Sequence, residues 1–488
     1  MLARAVRPTR PQLLLLAAVA AGAALRFATL DQQSFWIDEG YTVRLLRMDL
    51  SGLLHGIPRT EETPPVYYAL AWLWTRAFGT GEVGVRSLSA LFGTATIPVA
   101  YLLGRRLASV RAGVVVAALA AFSPLLVWYS QEARAYALLL LLAGVSTLLA
   151  LAARERGGRA LAGWAAVAAL TLATHYFAVF VVVPQAAWLL LAARPRRAAV
   201  WAVGGVGAVG AALLPLAIDQ AGNRGARFIG DTGLGERIAQ LPKQFLVGYD
   251  SPSEVVFTVL AATAAAIALT FAVTRTDPGD RRGVRIAAIG LAVTVGLPLV
   301  VALAGADYFI ARNAIAGWLA LGLLLAIGLG ATRARRAGPL LAAGVCAVFL
   351  AAVIEVDANP SYQRDDWRGA ARALGPATVP RALVVTPLNG LVPLRLYTPR
   401  LERFPDQGVA RAAEVDLLAV AQRRAGQAPR PPRPPTPRVP GFQLALRLDR
   451  PTFTLIRLRA PVVASFSLER LTGLRLDPAA ADVLVQQP

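Results

Sequence analysis

Apolar runs recur along the first three quarters of the chain, separated by short polar links. They fall at about 12–30, 86–104, 112–130, 134–153, 160–174, 176–193, 198–218, 254–274, 286–306, 311–332 and 337–355. Each is close to the roughly 20 residues that a bilayer-spanning helix needs, so the pattern predicts about eleven transmembrane helices. The fifth and sixth runs are short and meet at His175. The segment "PPVYYALAWLWTRAFG" (64–79) is apolar but too short to cross. It opens on Pro-Pro and is rich in aromatics, which reads as a helix lying in the outer interface. The acidic "DEGYTVRLLRMDLSGLL" before it reads as a second interfacial helix.

After residue 356 no run is long enough to span. "RALVVTP" and "PTFTLIRL" read as strands. "DWRGAARAL" reads as a helix whose Asp365 and Asp366 suit the positive end of its dipole, and "APRPPRPPTPRVP" (428–440) as a polyproline-type loop. The expected fold class is therefore mainly α. Residues 1–356 form a polytopic membrane domain with its first outer loop at 31–85, and residues 357–488 a small α/β domain outside the membrane. The first run offers small residues for signal cleavage, but its length favours a retained anchor.

Composition supports a membrane protein: 56% of the 488 residues are hydrophobic and 16% charged, against about a quarter charged in soluble domains. The net charge of +21 raises the question of nucleic acid, and its placement answers it. Links 1–11, 105–111, 154–159, 194–197, 275–285 and 333–336 carry 19 Arg. Links 31–85, 131–133, 219–253 and 307–310 carry eight Arg and Lys over far more residues. This is the positive-inside bias, with a cytoplasmic N-terminus, and no nucleic-acid partner is needed to explain it. The single Cys346 allows no internal disulfide. Arg in place of Lys and abundant Ala point to a high-GC, bacterial source.

With sides assigned, the polar residues concentrate outside. Of 18 acids before residue 357, only Glu155, Asp277 and Asp280 fall on inner links. "SFWIDEGYT", "RTEETPPVYY", "WYSQEARAY", "THYF" and "DYFIARN" bring carboxylate, amide, guanidinium, imidazole and phenol groups to one membrane face. A convergent site there is the economical reading. The span interiors lack the midplane ionisable groups usual in transporters. Asp38 and Glu39 either cap a helix or do chemistry. A carboxylate near low-dielectric lipid holds its proton more readily, which suits a general base. Arg134 and Arg312 are outward arginines able to grip a phosphate with a bidentate fork. Glu62, Tyr129, Gln131, Glu132, Tyr136 and His175 are candidate substrate contacts, each with a plain reading as a hairpin or turn residue. Glu62 and His175 are the candidate pair for a divalent metal ion, but two ligands distant in sequence are a weak signal.

Two signals are discounted. "GVGAVG" (205–210) matches a dinucleotide fingerprint but lies inside an apolar span without a preceding strand, and reads instead as glycine for close helix packing. "DDW" (365–367) begins an amphipathic helix and reads as capping.

In this order, "FWIDE", "ETPPVYY", "GVRSLSALFG", "WYSQEARAYAL" and "THYFA" resemble membrane glycosyltransferases of the GT-C fold, in the protein mannosyltransferase-like family 39 whose relatives include lipid A aminoarabinose transferases. The resemblance is strong over about residues 30–195 and weaker beyond, where "DYFIARN" also fits. It implies inverting transfer of a sugar from a polyprenyl-phosphate donor to a hydroxyl of a lipid, glycan or protein acceptor on the extracytoplasmic face. Asp38 would be the base and Glu39 its support. Arg134 and Arg312 would hold the phosphate, and Glu62 a donor or metal. Thr63 stands where aminoarabinose transferases have Lys, which removes one phosphate-binding charge. The alternatives are a transporter or lipid flippase, and a non-catalytic envelope scaffold.

Overall fold

A computed structural model describes residues 8–192, 196–222, 225–404, 408–421 and 430–488. The basic links 1–11 and 194–197 and the polyproline segment 428–440 lie in part outside these residues. Residues 430–440 contain neither helix nor strand, apart from a turn beginning at Pro440. By contacts the chain forms two units. One takes Met1–Leu30, Leu45–Tyr249 and Ser253–Ile354; the other takes Asp31–Arg44, Asp250–Pro252 and Glu355–Pro488.

The first unit is helical. Its leading helices are α1 (Arg10–Phe27), α3 (Leu50–Thr60), α4 (Val66–Phe78), α5 (Glu82–Leu107), α6 (Val110–Phe122), α7 (Pro124–Ser130), α8 (Tyr136–Arg156) and α9 (Gly158–Leu172); α2 (Ile37–Leu46) falls in the second unit as far as Arg44. Among the described residues seven helices are long and apolar enough to cross a membrane. An eighth arises if α6 and α7, bent by 58° at their junction, count as one span. Three shorter apolar helices, Gly158–Leu172, Tyr176–Ala192 and Gly317–Gly330, account for the remaining expected runs.

The bend has a visible cause. Ser123 caps α7 by accepting from Leu126 N, and Pro124 opens that helix. The C-terminal carbonyls of α6 are met by Arg26 from α1, which donates to Ala120 O at 2.8 Å, Ala121 O at 2.9 Å and Ser130 Oγ at 3.1 Å. Buried helix ends need such partners, and in apolar surroundings a guanidinium supplies several at once. α5 and α6 approach closely, since a Cβ on Gly104 would lie 2.9 Å from Ala112 O and one on Gly113 2.7 Å from Tyr101 O. The expected packing role of "GVGAVG" is not found. A Cβ on Gly205 or Gly207 meets nothing within 4 Å, and one on Gly210 only Leu172 Cδ1 at 3.9 Å.

The second unit holds a six-stranded mixed sheet of β1 (Arg381–Thr386), β2 (Glu402–Arg403), β3 (Val409–Val420), β4 (Gln443–Asp449), β5 (Phe453–Ser467) and β6 (Asp482–Gln486). The order is β2-β6-β1-β3-β5-β4, and β1 with β3 is the parallel pair. The sequence picks out β1, β5 and the helix Trp367–Leu374, where Asp366 caps Gly369 N at 2.9 Å. It misses β3, because "VARAAEVDLLAV" carries charges inside a buried strand. Those charges are paired: Arg381 and Arg459 donate to Glu414 at 2.5 Å each, and Arg457 to Asp416 at 2.8 Å.

The stretch 31–44 is bound into this unit. Ser34 Oγ donates to Asp365 O at 2.5 Å and accepts from Trp367 N at 3.0 Å. Phe35 N donates to the Tyr397 hydroxyl at 2.8 Å, and Arg364 N to Gln33 Oε1 at 3.0 Å. The single interfacial helix expected over "DEGYTVRLLRMDLSGLL" is thus two. α2 ends at Leu46 and α3 restarts at Leu50, where Asp49 accepts from Gly52 N at 2.7 Å.

Candidate functional site

In the first unit, buried polar groups gather where the ends of α3, α4, α8 and α9 meet. Val66 N at the start of α4 donates to Ala173 O just past α9 at 3.1 Å, drawing the "EETPP" turn to the "THYF" turn. Glu61 follows α3 and its carboxylate is fully buried. It pairs with Arg134, whose side chain is 9% exposed, and accepts from the Tyr68 hydroxyl at 2.6 Å. Thr63 Oγ1 lies 2.8 Å from the same hydroxyl. Burial pushes the Tyr68 phenol well above its usual value, so it remains a donor to the carboxylate. Arg134 is therefore a held guanidinium, oriented by a carboxylate, with the Tyr68 ring 6.0 Å away.

Rings continue the cluster. Tyr129 packs edge-on against Tyr136 with centroids 4.9 Å apart, and Tyr136 meets the His175 ring at 5.7 Å. The Tyr129 hydroxyl bonds that of Tyr249. Burial first, and then the charges of Arg134 and Arg312, push His175 down to about 3. Its ring is neutral at physiological pH. Arg312 lies 4.9 Å over the Phe228 ring, and its loop is pinned by Arg237. That residue forks onto Asp307 and donates to Phe309 O at 2.7 Å, holding the Asp307 carboxyl below its usual range.

The sequence-derived residues divide as follows. Arg134, Tyr129, Tyr136 and His175 fall in one buried cluster, with Arg312 acting on its imidazole. Glu132 is buried and Glu62 half-buried in the adjoining turns. Gln131 serves the fold, since its amide donates to Leu25 O at 3.0 Å and Thr29 Oγ1 at 2.8 Å at the end of α1. Asp38 and Glu39 form the first turn of α2 in the second unit, Asp38 half-buried and Glu39 fully buried. Sequence reasoning misses Glu61, Tyr68 and Arg237. "EE" offers two adjacent acids, and only three-dimensional packing selects the first as the partner of Arg134.

A divalent cation does not fit the proposed Glu62 and His175 pair. Among the described residues no three His, Cys, Asp or Glu side chains are placed to hold a metal. Two guanidiniums also act on the imidazole, a field that opposes a second cation.

The many-helix body and the small mixed-sheet unit are those of the GT-C fold, as the likeness to a solved structure shows. The chain is a multi-pass membrane protein. The family described as dolichyl-phosphate-mannose-protein mannosyltransferase matches residues 62–218, a span that takes in "ETPPVYY", "GVRSLSALFG", "WYSQEARAYAL" and "THYFA" but neither "FWIDE" nor "DYFIARN". In structure the chain is similar to ArnT from Cupriavidus metallidurans in the apo state, with a TM-score of 0.55 and 13% identity over 92% of this chain and 98% of that one. It is equally similar to the same protein bound to undecaprenyl phosphate, at 0.55 and 13%, over 91% and 97%. No curated sequence matches. The resemblance to GT-C membrane glycosyltransferases of the protein mannosyltransferase-like group thus stands on both sequence and fold.

Proposed function

We propose that the protein is a membrane glycosyltransferase that moves a sugar from a polyprenyl-phosphate donor to an acceptor hydroxyl on the extracytoplasmic face, with inversion. The N-terminus is cytoplasmic, and the acceptor is a lipid, glycan or protein. The observation that carries this reading is Arg134, buried and oriented by Glu61, in a cluster on which Arg312 also acts. A buried cation held in place, rather than left to solvent, is what a membrane-embedded phosphate ester requires. Similarity in fold to a protein solved with undecaprenyl phosphate supports the same donor class.

In this reaction the acceptor hydroxyl gives its proton to the Asp38 carboxylate. Its oxygen then bonds to the anomeric carbon from the face opposite the phosphate. The carbon–oxygen bond to the phosphate breaks, and its electron pair leaves on the phosphate oxygen. Arg134 and Arg312 stabilise the charge that grows there, and Glu39 supports the base. The test is incubation of the purified protein in lipid with a panel of polyprenyl-phosphate sugars, wild type against Asp38→Asn. Turnover by wild type and a loss of about a hundredfold or more in the variant is expected for removal of a general base. Equal turnover overturns the base assignment, and no turnover of any donor overturns the class.

A further inference from the structure

His175 is 2% exposed, and its Nε2 has no hydrogen-bond partner among the described residues. Its other ring nitrogen is committed. The backbone N–H of Phe177 donates to Nδ1 at 3.1 Å, so the imidazole caps the short turn Tyr176–Ala178. In a neutral imidazole, a nitrogen that accepts leaves the ring hydrogen on the other nitrogen. Nε2 is therefore a buried N–H donor. The ring is fixed between Tyr136, at 5.7 Å between centroids, and Phe177, at 5.9 Å, so it does not turn to seek a partner.

An unmet buried donor costs about 1–3 kcal/mol, which favours its use by something that binds. The surroundings select the sign of that group. The guanidiniums of Arg134 and Arg312, from two separate loops, both act on this ring. They oppose an imidazolium and a metal ion alike and favour an anion. A neutral donor among cations is complementary to a phosphate oxygen, because it adds a directed hydrogen bond without adding repulsion.

We propose that His175 Nε2–H is a third donor to the lipid phosphate, giving a fixed hydrogen bond beside the two guanidiniums, and that it holds no metal. This rests on the donor class proposed above. The shared chemistry is an anionic phosphate group, so lipid-linked and free anion are separated by using undecaprenyl phosphate and inorganic phosphate as parallel probes.

The experiment uses the full chain in nanodiscs. The sequence has two histidines, so uniform 15N-histidine labelling gives two rings, and His55→Asn assigns them. At pH 7 the His175 ring should show the Nε2–H tautomer, and its proton should shift downfield on addition of undecaprenyl phosphate. His175→Gln, which keeps an N–H near the same reach, should bind that lipid within about threefold of wild type. His175→Leu should bind about tenfold or more weakly, as expected for a hydrogen bond to a charged group. Inorganic phosphate should shift the resonance less at equal concentration. An Nδ1–H tautomer, an unmoved resonance under saturating lipid, or unchanged affinity in His175→Leu overturns the proposal. If His175→Leu fails to fold, the resonance and the glutamine variant still decide. If wild type does not bind the lipid at all, the donor class itself fails, an outcome distinct from binding that bypasses His175.

Discussion

Replacing Glu61 by Gln tests whether Arg134 is held by its carboxylate. The Glu61 side chain is fully buried and that of Arg134 is 9% exposed, so solvent screens the pair little. Removing one member of a buried pair typically costs about 3–5 kcal/mol, since the other charge is left uncompensated. Gln retains an acceptor for the Tyr68 hydroxyl, now 2.6 Å from Glu61, which sets the expectation at the lower end, about 3 kcal/mol. Arg134→Gln and the double variant complete a cycle. The double variant should be more stable than the sum of the single losses implies, by about 2 kcal/mol, because the two side chains interact directly in the wild type. The assay is equilibrium unfolding in detergent, followed by tryptophan fluorescence. A bound polyprenyl phosphate also neutralises Arg134, so it should stabilise Glu61→Gln more than wild type. A coupling energy below about 0.5 kcal/mol would refute the reasoning, since it would mean that the two groups behave as if solvated.

The His175 ring, pushed down to about 3 from an ordinary 6.5, makes the unfolded chain bind more protons between those values. Its contribution is therefore present above about pH 6.5 and lost as pH falls toward 3; the melting temperature of His175→Gln should decline less than that of wild type between pH 7 and 5. Asp307, held low by Arg237, contributes stability above its unfolded pKa that is lost as pH falls through the folded value. Asp307→Asn should flatten that acid limb and speed hydrogen exchange in residues 307–313. A Cβ on Gly93 would run into Ser130 Oγ, so Gly93→Val should cost about 1–3 kcal/mol by overpacking, read as a lower melting temperature. An unchanged value would show that α5 and α7 can separate.

Much of the helical body is legible in the sequence because apolar run length is itself the physical requirement of a bilayer. The internal break at Ser123 carries a local signal in Ser123-Pro124, but the partner that meets the freed carbonyls of α6, Arg26 reaching from α1, is not legible. The arginine clusters, the caps and the strands β1 and β5 follow local rules. β3 does not, since its Glu414 and Asp416 are tolerated inside the sheet only because Arg381, Arg457 and Arg459 arrive from other strands. The site shows the same division. Residue types marked Arg134 and His175 as candidates, while the choice between Glu61 and Glu62, and the fixed tautomer of His175, come from packing between distant turns.

The stretch 31–44, with Asp38 and Glu39, is bound by Ser34, Phe35 and Gln33 to Asp365, Tyr397 and Arg364. A variant ending near residue 356 would retain Asp38 in its chain but lose the scaffold that sets its backbone. The sheet unit is consequently no optional appendage. A lineage that exchanged it for another domain would have to rebuild the acidic loop at the same time, so the two are expected to be inherited, lost and recombined together.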